Sequence, residues 1–117
     1  MATRQPDITQ LARDARDLIE HINHATAGPV DIPAPQISAT TQALLNLVQR
    51  LPQAIEQLGW ALDRQVRADA IRMDNGTEPE AAVATVKNAL ADTVSALNET
   101  AEHLQSAATP LFSMAAK

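Results

Sequence analysis

The sequence predicts an all-α fold: a long antiparallel helical hairpin with a shorter N-terminal helix, together a three-helix bundle that dimerisation completes. Only 2 % of the residues are aromatic and glycine occurs only three times in 117 residues. This composition favours helices, because sheets rely on aromatic and β-branched side chains. In three segments, apolar residues recur at alternating spacings of three and four, as in helix bundles and coiled coils. The length is typical of a single domain.

The first predicted helix spans residues 7–25. Its apolar seam consists of Ile8, Leu11, Ala15, Leu18, Ile22 and Ala25. Asp7 stands where an N-terminal cap is needed, with Gln10 three residues later, as in a capping box. Residues 26–38 contain three prolines within seven residues, which cannot continue a helix. This segment is therefore predicted to be a stiff, extended connector.

The second predicted helix is the longest and covers residues 39–74. Its apolar stripe consists of Leu44, Val48, Leu51, Ile55, Leu58, Leu62, Val66, Ala70 and Met73. Pro52 lies in the middle, where it removes one backbone hydrogen bond at a cost of about 3 kcal/mol. We expect one helix kinked at Pro52 rather than two helices, because leucine at position 51 is a poor N-cap and the apolar phase continues across the proline.

A turn at residues 74–76 leads into the third predicted helix, residues 78–108. Thr77 and Glu80 predict a capping box, and Pro79 suits the first helical turn. The apolar seam of this helix consists of Val83, Val86, Leu90, Val94, Leu97, Ala101, Leu104 and Ala108. Residues 109–117 form a short apolar C-terminal segment, in which Thr109–Pro110 either ends the third helix or begins a short terminal one.

The predicted helices differ in length, and this difference predicts self-association. At 1.5 Å per residue the hairpin is about 45–50 Å long and the first helix about 28 Å. A two-helix arm that the first helix cannot cover buries too little surface to be stable, so we expect a homodimer in which two arms form a four-helix bundle. The expected contact residues are Leu62, Val66, Met73, Val83, Val86 and Leu90. The alternative is a monomer whose first helix lies diagonally across the hairpin.

Trp60 is the only tryptophan and lies on the polar side of the second predicted helix, about 140° from Ile55. Arg64, Arg67 and Ile71 lie near it by the same count and form a second, smaller surface. Tryptophan and arginine are enriched at the centres of protein interfaces. Three interpretations follow: the ring packs inside its own fold, contributes to the homodimer contact, or receives a different protein.

The titratable side chains predict no catalytic, cofactor or metal site. His21, His24 and His103 lack the Glu-x-x-His spacing of metal-binding helix bundles. Each follows a carboxylate by four residues, so surface ion pairs explain them better. The chain has no cysteine and no glycine-rich phosphate loop. We therefore expect a non-enzymatic protein without a cofactor.

Charge and hydropathy restrict the expected partners. The formal net charge is −5 and the nine Lys and Arg are dispersed among acids, so no basic face for nucleic acid is expected. The N-terminus lacks a signal-peptide core, no apolar run approaches the roughly 20 residues of a membrane span, and the helices lack a lysine-rich face for a membrane surface. We expect a cytoplasmic protein with no nucleic-acid or membrane partner. Its richness in Ala, Asp and Arg is typical of a high-GC bacterial genome.

These features indicate a helical protein-interaction module, such as a scaffold, adaptor or small regulatory subunit. It is expected to act through homodimerisation, an unidentified protein partner, or both. The alternative is a helical bundle that binds an apolar small molecule in a space lined by Pro52, Gly59, Met73 and Met114. A cavity above about 300 Å³ favours the ligand-binding alternative, and a filled core with a large symmetric contact favours the interaction module.

Overall fold

A computed structural model describes residues 7–117 and contains, in that range, three α-helices and no strand. They are α1 (Ile8–Ala25), α2 (Ala34–Arg67) and α3 (Pro79–Leu111). The predicted all-α class, with a helical hairpin and a shorter N-terminal helix, is confirmed, because α2 and α3 pack closely and α1 is the shorter helix. The chain divides into two compact units, one that ends at Ile32 and one that runs from Pro33 to Lys117. Their boundary lies inside the predicted connector.

The N-terminal unit contains α1, an amphipathic helix. The carboxylate of Asp7 accepts a hydrogen bond from the backbone N–H of Gln10 at 3.2 Å, which confirms the predicted N-cap. At the other end, the hydroxyl of Thr26 donates to the carbonyl of Ile22 at 2.8 Å. No residue of α1 is buried, and Leu18, near the middle of its apolar seam, is 62 % exposed.

The second unit begins with α2, which starts at Ala34 and not at residue 39 as predicted. Pro33 adopts an extended conformation at the N-cap, and its carbonyl accepts hydrogen bonds from the N–H groups of Gln36 and Ile37, each at 3.0 Å. Pro35 lies in the first turn, where an N–H group has no intrahelical partner to lose. The connector is therefore shorter than predicted, because its last proline begins a helix and does not interrupt one.

α2 continues through Pro52 as one helix and ends at Arg67, not at residue 74. Asp69 has a φ of 52°, in the left-handed region. The N–H of Asp69 donates to the carbonyl of Val66, and the N–H of Ala70 to that of Gln65, both at 3.0 Å. These two bonds form a Schellman motif, which terminates a helix. The spacing of Ala70 and Met73 predicts a longer helix, because both residues continue the apolar stripe. The spacing of apolar residues does not reveal that Asp69 adopts the left-handed conformation that ends the helix.

α3 begins at Pro79 with Glu78 as N-cap, and neither Thr77 nor Glu80 makes the predicted capping box. The backbone N–H and the hydroxyl of Thr77 instead donate to the side-chain carbonyl of Asn75, at 3.1 and 2.6 Å. The helix extends past residue 108 to Leu111 and includes Pro110. Pro110 is tolerated because it lies in the last turn, where its effect on the helix is confined to one hydrogen bond.

α2 and α3 meet along two heptad-spaced seams that are buried or half-buried. The α2 seam consists of Ser38, Thr41, Leu45, Val48, Pro52, Ile55, Gly59, Leu62 and Val66. The α3 seam consists of Val83, Leu90, Val94, Leu97, Ala101, Leu104, Ala108 and Leu111. Lys87 forms an ion pair with Asp63 at 2.9 Å, and Gly59 lies against Leu90. These two pairings fix an antiparallel register. Leu45 is the only large side chain in residues 7–117 that is fully buried.

The α2 seam differs from the apolar stripe that the sequence predicts. Leu51 and Leu58, which belong to the predicted stripe, are 37 % and 50 % exposed, and Pro52 and Gly59 occupy the seam instead. Gly59 allows α3 to pack closely against α2, since it has no side chain to hold the helices apart. The predicted stripe was therefore wrong by roughly half a residue of rotation, about 50°.

We predict opposite effects for two glycine-to-alanine substitutions. A Cβ at Gly59 would lie 3.6 Å from the Leu90 side chain, an ordinary van der Waals contact, so Gly59→Ala should stabilise the hairpin by about 0.5–1 kcal/mol through helix propensity. Gly76 has a φ of 77°, so Gly76→Ala should destabilise it by about 1 kcal/mol. Urea unfolding measures both. A loss of stability in Gly59→Ala would show that the seam is packed more tightly than described.

Candidate interaction surfaces of the hairpin

The first candidate surface begins with a row of apolar side chains beside the α2 seam. Ile37, Leu44, Leu51 and Leu58 recur every seven residues and therefore line one side of the helix. Leu47 lies next to this row and is 36 % exposed. At 1.5 Å per residue the row is about 32 Å long. We call these four residues the leucine row.

α3 presents a row of smaller residues with the same spacing. Val86, Thr93, Thr100 and Ala107 recur every seven residues, and all four are exposed. The hydroxyls of Thr93 and Thr100 donate to carbonyls one turn earlier in α3, each at 2.8 Å. Because the hydroxyls are satisfied within the helix, these threonines offer mainly methyl groups to a neighbour. We call these four residues the small-residue row.

Both rows lie on the same side of the hairpin. Trp60 of α2 and Ala91 of α3 line one groove on the opposite side. Leu58 is two residues from Trp60, and Thr93 is two residues from Ala91. Two residues correspond to about 200° of rotation, so each row points away from that groove.

The two rows and their neighbours form a surface without a charged side chain, which we call the uncharged face. Its residues are Ile37, Leu44, Leu47, Leu51, Ala54, Leu58, Ala61, Val86, Ala89, Thr93, Ala96, Thr100 and Ala107. His103 follows Ala89 and Ala96 at the same seven-residue spacing and lies at the edge of the uncharged face. A long apolar surface of this kind is typical of a protein contact, since soluble proteins rarely expose one to water.

The second candidate surface is the groove on the opposite side, with a volume of about 320 Å³. It is lined by Glu56, Gly59, Trp60, Asp63, Lys87, Leu90, Ala91 and Val94. The Trp60 ring is 54 % exposed, so the interpretation in which it packs inside its own fold is wrong. The sequence pattern places Trp60 far from the apolar stripe around the helix, because the predicted stripe is rotated toward Leu58 relative to the observed seam. Relative to the true seam, Trp60 flanks the contact with α3.

The predicted surface of Trp60, Arg64, Arg67 and Ile71 is not one helical face. Arg64 and Arg67 are exposed in the last turn of α2, but Ile71 lies beyond the helix end. Ile71 is half-buried and lines a groove with Val66 and the loop that follows α2. The Schellman motif redirects the chain, so 100° counting from Trp60 does not apply to Ile71.

The predicted distal contact residues occupy three different places. Leu62, Val66, Val83 and Leu90 are half-buried in the seams between α2 and α3. Met73 is half-buried in the loop between the helices. Val86 alone lies on the uncharged face, where it is 44 % exposed. Sequence reasoning missed the leucine row as a separate surface, although its seven-residue spacing was visible.

The titratable groups form isolated pairs on the surface. His24 lies 4.0 Å from Glu20, and His103 lies 3.9 Å from Glu99, with all four side chains exposed. Within residues 7–117, no three His, Asp or Glu side chains are grouped closely enough to hold a metal ion. None of the helices described has the length and apolar character to cross a bilayer.

Comparison with models of known protein families, with curated proteins and with solved structures finds no match to this chain. The two surfaces of the hairpin are thus interpreted from their own chemistry. Both surfaces include side chains from α2 and α3.

We predict that Trp60 reports on the groove and not on the uncharged face. Because the two surfaces are on opposite sides, the emission maximum of Trp60 should not change as the protein is diluted from associated to dissociated chains. Trp60→Ala should lower the free energy of unfolding by at most about 1 kcal/mol, since the ring is half-exposed. Fluorescence across a dilution series measures the first effect. A blue shift on concentration would place the groove in the interface.

Proposed function

We propose that the chain is a non-enzymatic helical interaction module that associates with a second copy of itself through the uncharged face. One observation carries this proposal: both helices contribute exposed apolar side chains, among them Leu51, Leu58 and Val86, to one side of a hairpin that has a single fully buried large side chain. Moving a half-exposed leucine fully out of water contributes roughly 1 kcal/mol. Several such residues on each copy provide a favourable term large enough to oppose the entropy cost of association.

The absence of charge favours a second copy as the partner. Like charges that face each other across an interface are destabilising, and an uncharged surface that meets itself avoids them. Two-fold homodimers are also the commonest oligomers, because one surface then satisfies both copies. Two hairpins joined in this way form a four-helix bundle. The contact lies along the middle of the hairpin, whereas the sequence placed it at the distal end.

The groove of Trp60 remains open in this arrangement and supports the role of an adaptor or scaffold. It contains the half-exposed indole of Trp60, a side chain that is enriched at the centres of protein contacts, beside the Asp63–Lys87 ion pair. The dimer would present two such grooves on its outer sides. The proposed function is therefore to display paired binding surfaces from one symmetric core.

The ligand-binding alternative has weaker support. Besides the groove of Trp60, a groove of about 510 Å³ lies between the N-terminal part of α2 and the chain end, and it includes Phe112 and Met114. Both volumes fall in the range of ligand sites. However, ligand sites enclose most of their ligand, and Phe112 is 87 % exposed. These open grooves fit a protein surface better than a small molecule.

The homodimer predicts that a charge on the uncharged face prevents association. Leu51→Asp would place a carboxylate in an apolar contact, so it should weaken association at least about a hundredfold. The matched control is Gln49→Asp, which puts the same charge on another exposed side of α2. Sedimentation equilibrium across a dilution series should give twice the chain mass for the wild type and the control, and the chain mass for Leu51→Asp.

Circular dichroism is the control, and it should show that both variants remain helical. A wild-type protein that stays at the mass of one chain at every concentration would refute the homodimer. Equal weakening by Leu51→Asp and Gln49→Asp would show that association does not use the uncharged face.

A further inference from the structure

We propose that, in the homodimer on which this inference rests, the leucine row of each copy packs against the small-residue row of the other. The uncharged face has one side with large residues, on α2, and one side with small residues, on α3. Large side chains that face large ones would hold the helices apart, whereas large ones that face small ones allow close packing. The sizes of the side chains therefore specify which helix lies opposite which.

Only one two-fold arrangement of two facing hairpins places α2 of one copy over α3 of the other. Its axis runs parallel to the helices. An axis perpendicular to the helices in the plane between the faces would instead place α2 over α2 and α3 over α3. The difference in size between the two rows thus selects the parallel axis, and each copy contributes one large row and one small row to the contact.

The register follows from the same symmetry. A rotation about an axis parallel to the helices leaves every residue at its own height along the bundle. The Asp63–Lys87 pair fixes the relative heights within one copy. Counted from this pair, Leu58, Leu51 and Leu44 lie at the heights of Thr93, Thr100 and Ala107, to within about one residue or 1.5 Å.

The register of the hairpin is thus compatible with the pairing along the length of the two rows. Both rows repeat every seven residues and run in opposite directions, so a match at one position holds for the three positions where the rows overlap, and Ile37 and Val86 lie beyond the overlap at either end. Each leucine of one copy meets a threonine methyl group or an alanine of the other. The satisfied hydroxyls of Thr93 and Thr100 add no unpaired polar group to the contact.

Cysteine cross-linking tests this pairing directly, because the chain has no cysteine of its own. Full-length Leu51→Cys is mixed with full-length Thr100→Cys and oxidised mildly, and the products are separated by mass without reductant. The pairing predicts a mixed disulfide dimer at least about tenfold above the level in either variant alone, because only facing positions reach disulfide geometry. Leu58→Cys with Thr93→Cys is a second pair, in case one substitution weakens the dimer.

The matched control is Gln49→Cys mixed with Ser95→Cys, two exposed positions outside the uncharged face. Efficient linkage of Leu51→Cys to itself would overturn the pairing and favour α2 over α2. A dimer by mass in which neither mixed pair links would also overturn it, while leaving the homodimer intact. Loss of the dimer in the wild type would instead refute the proposed function, so the two failures are distinguishable.

Discussion

The structure depends on one constraint: a hairpin of two helices buries only one stripe of each. In α2 that stripe includes Pro52 and Gly59, so much of its leucine content lies beside the contact and not within it. The close approach of α3 at Gly59 and the single fully buried Leu45 both follow from this placement. What remains outside is a continuous apolar surface. The need to cover this surface links the local packing of the hairpin to its proposed function.

Much of the fold was predictable, because heptad spacing, helix length and the Asp7 cap depend on neighbours in sequence. The helix ends were less so. The left-handed Asp69 ends α2, and Pro33 and Pro35 begin it, whereas the spacing of apolar residues suggested other limits. Thr77 was assigned to a capping box, but its hydrogen bonds go to Asn75. In each case the residue type allows two local structures, and the sequence pattern does not show which of them the chain adopts.

The candidate surface was harder to predict than the fold. A prediction from apolar residues centres the helix contact on the leucines. Two helices, however, pack most closely where their side chains are small. The seam therefore lies on the glycine side of α2, which moves Leu58 to the surface and Trp60 to the edge of the contact. An error of about 50° was enough to place Leu51 and Leu58 in the predicted contact and to leave Pro52 and Gly59 out of it. Only the position of α3 resolves it.

The central claim is that the hairpin gains stability when a second copy covers its uncharged face. Coupling of folding to association makes stability depend on protein concentration. The most direct measurement is therefore the thermal unfolding midpoint, followed by circular dichroism from roughly 1 to 100 µM chain. The account predicts that the midpoint rises by several degrees over this hundredfold range. A midpoint that stays constant would contradict it and would mean that association adds no stability to the folded chain.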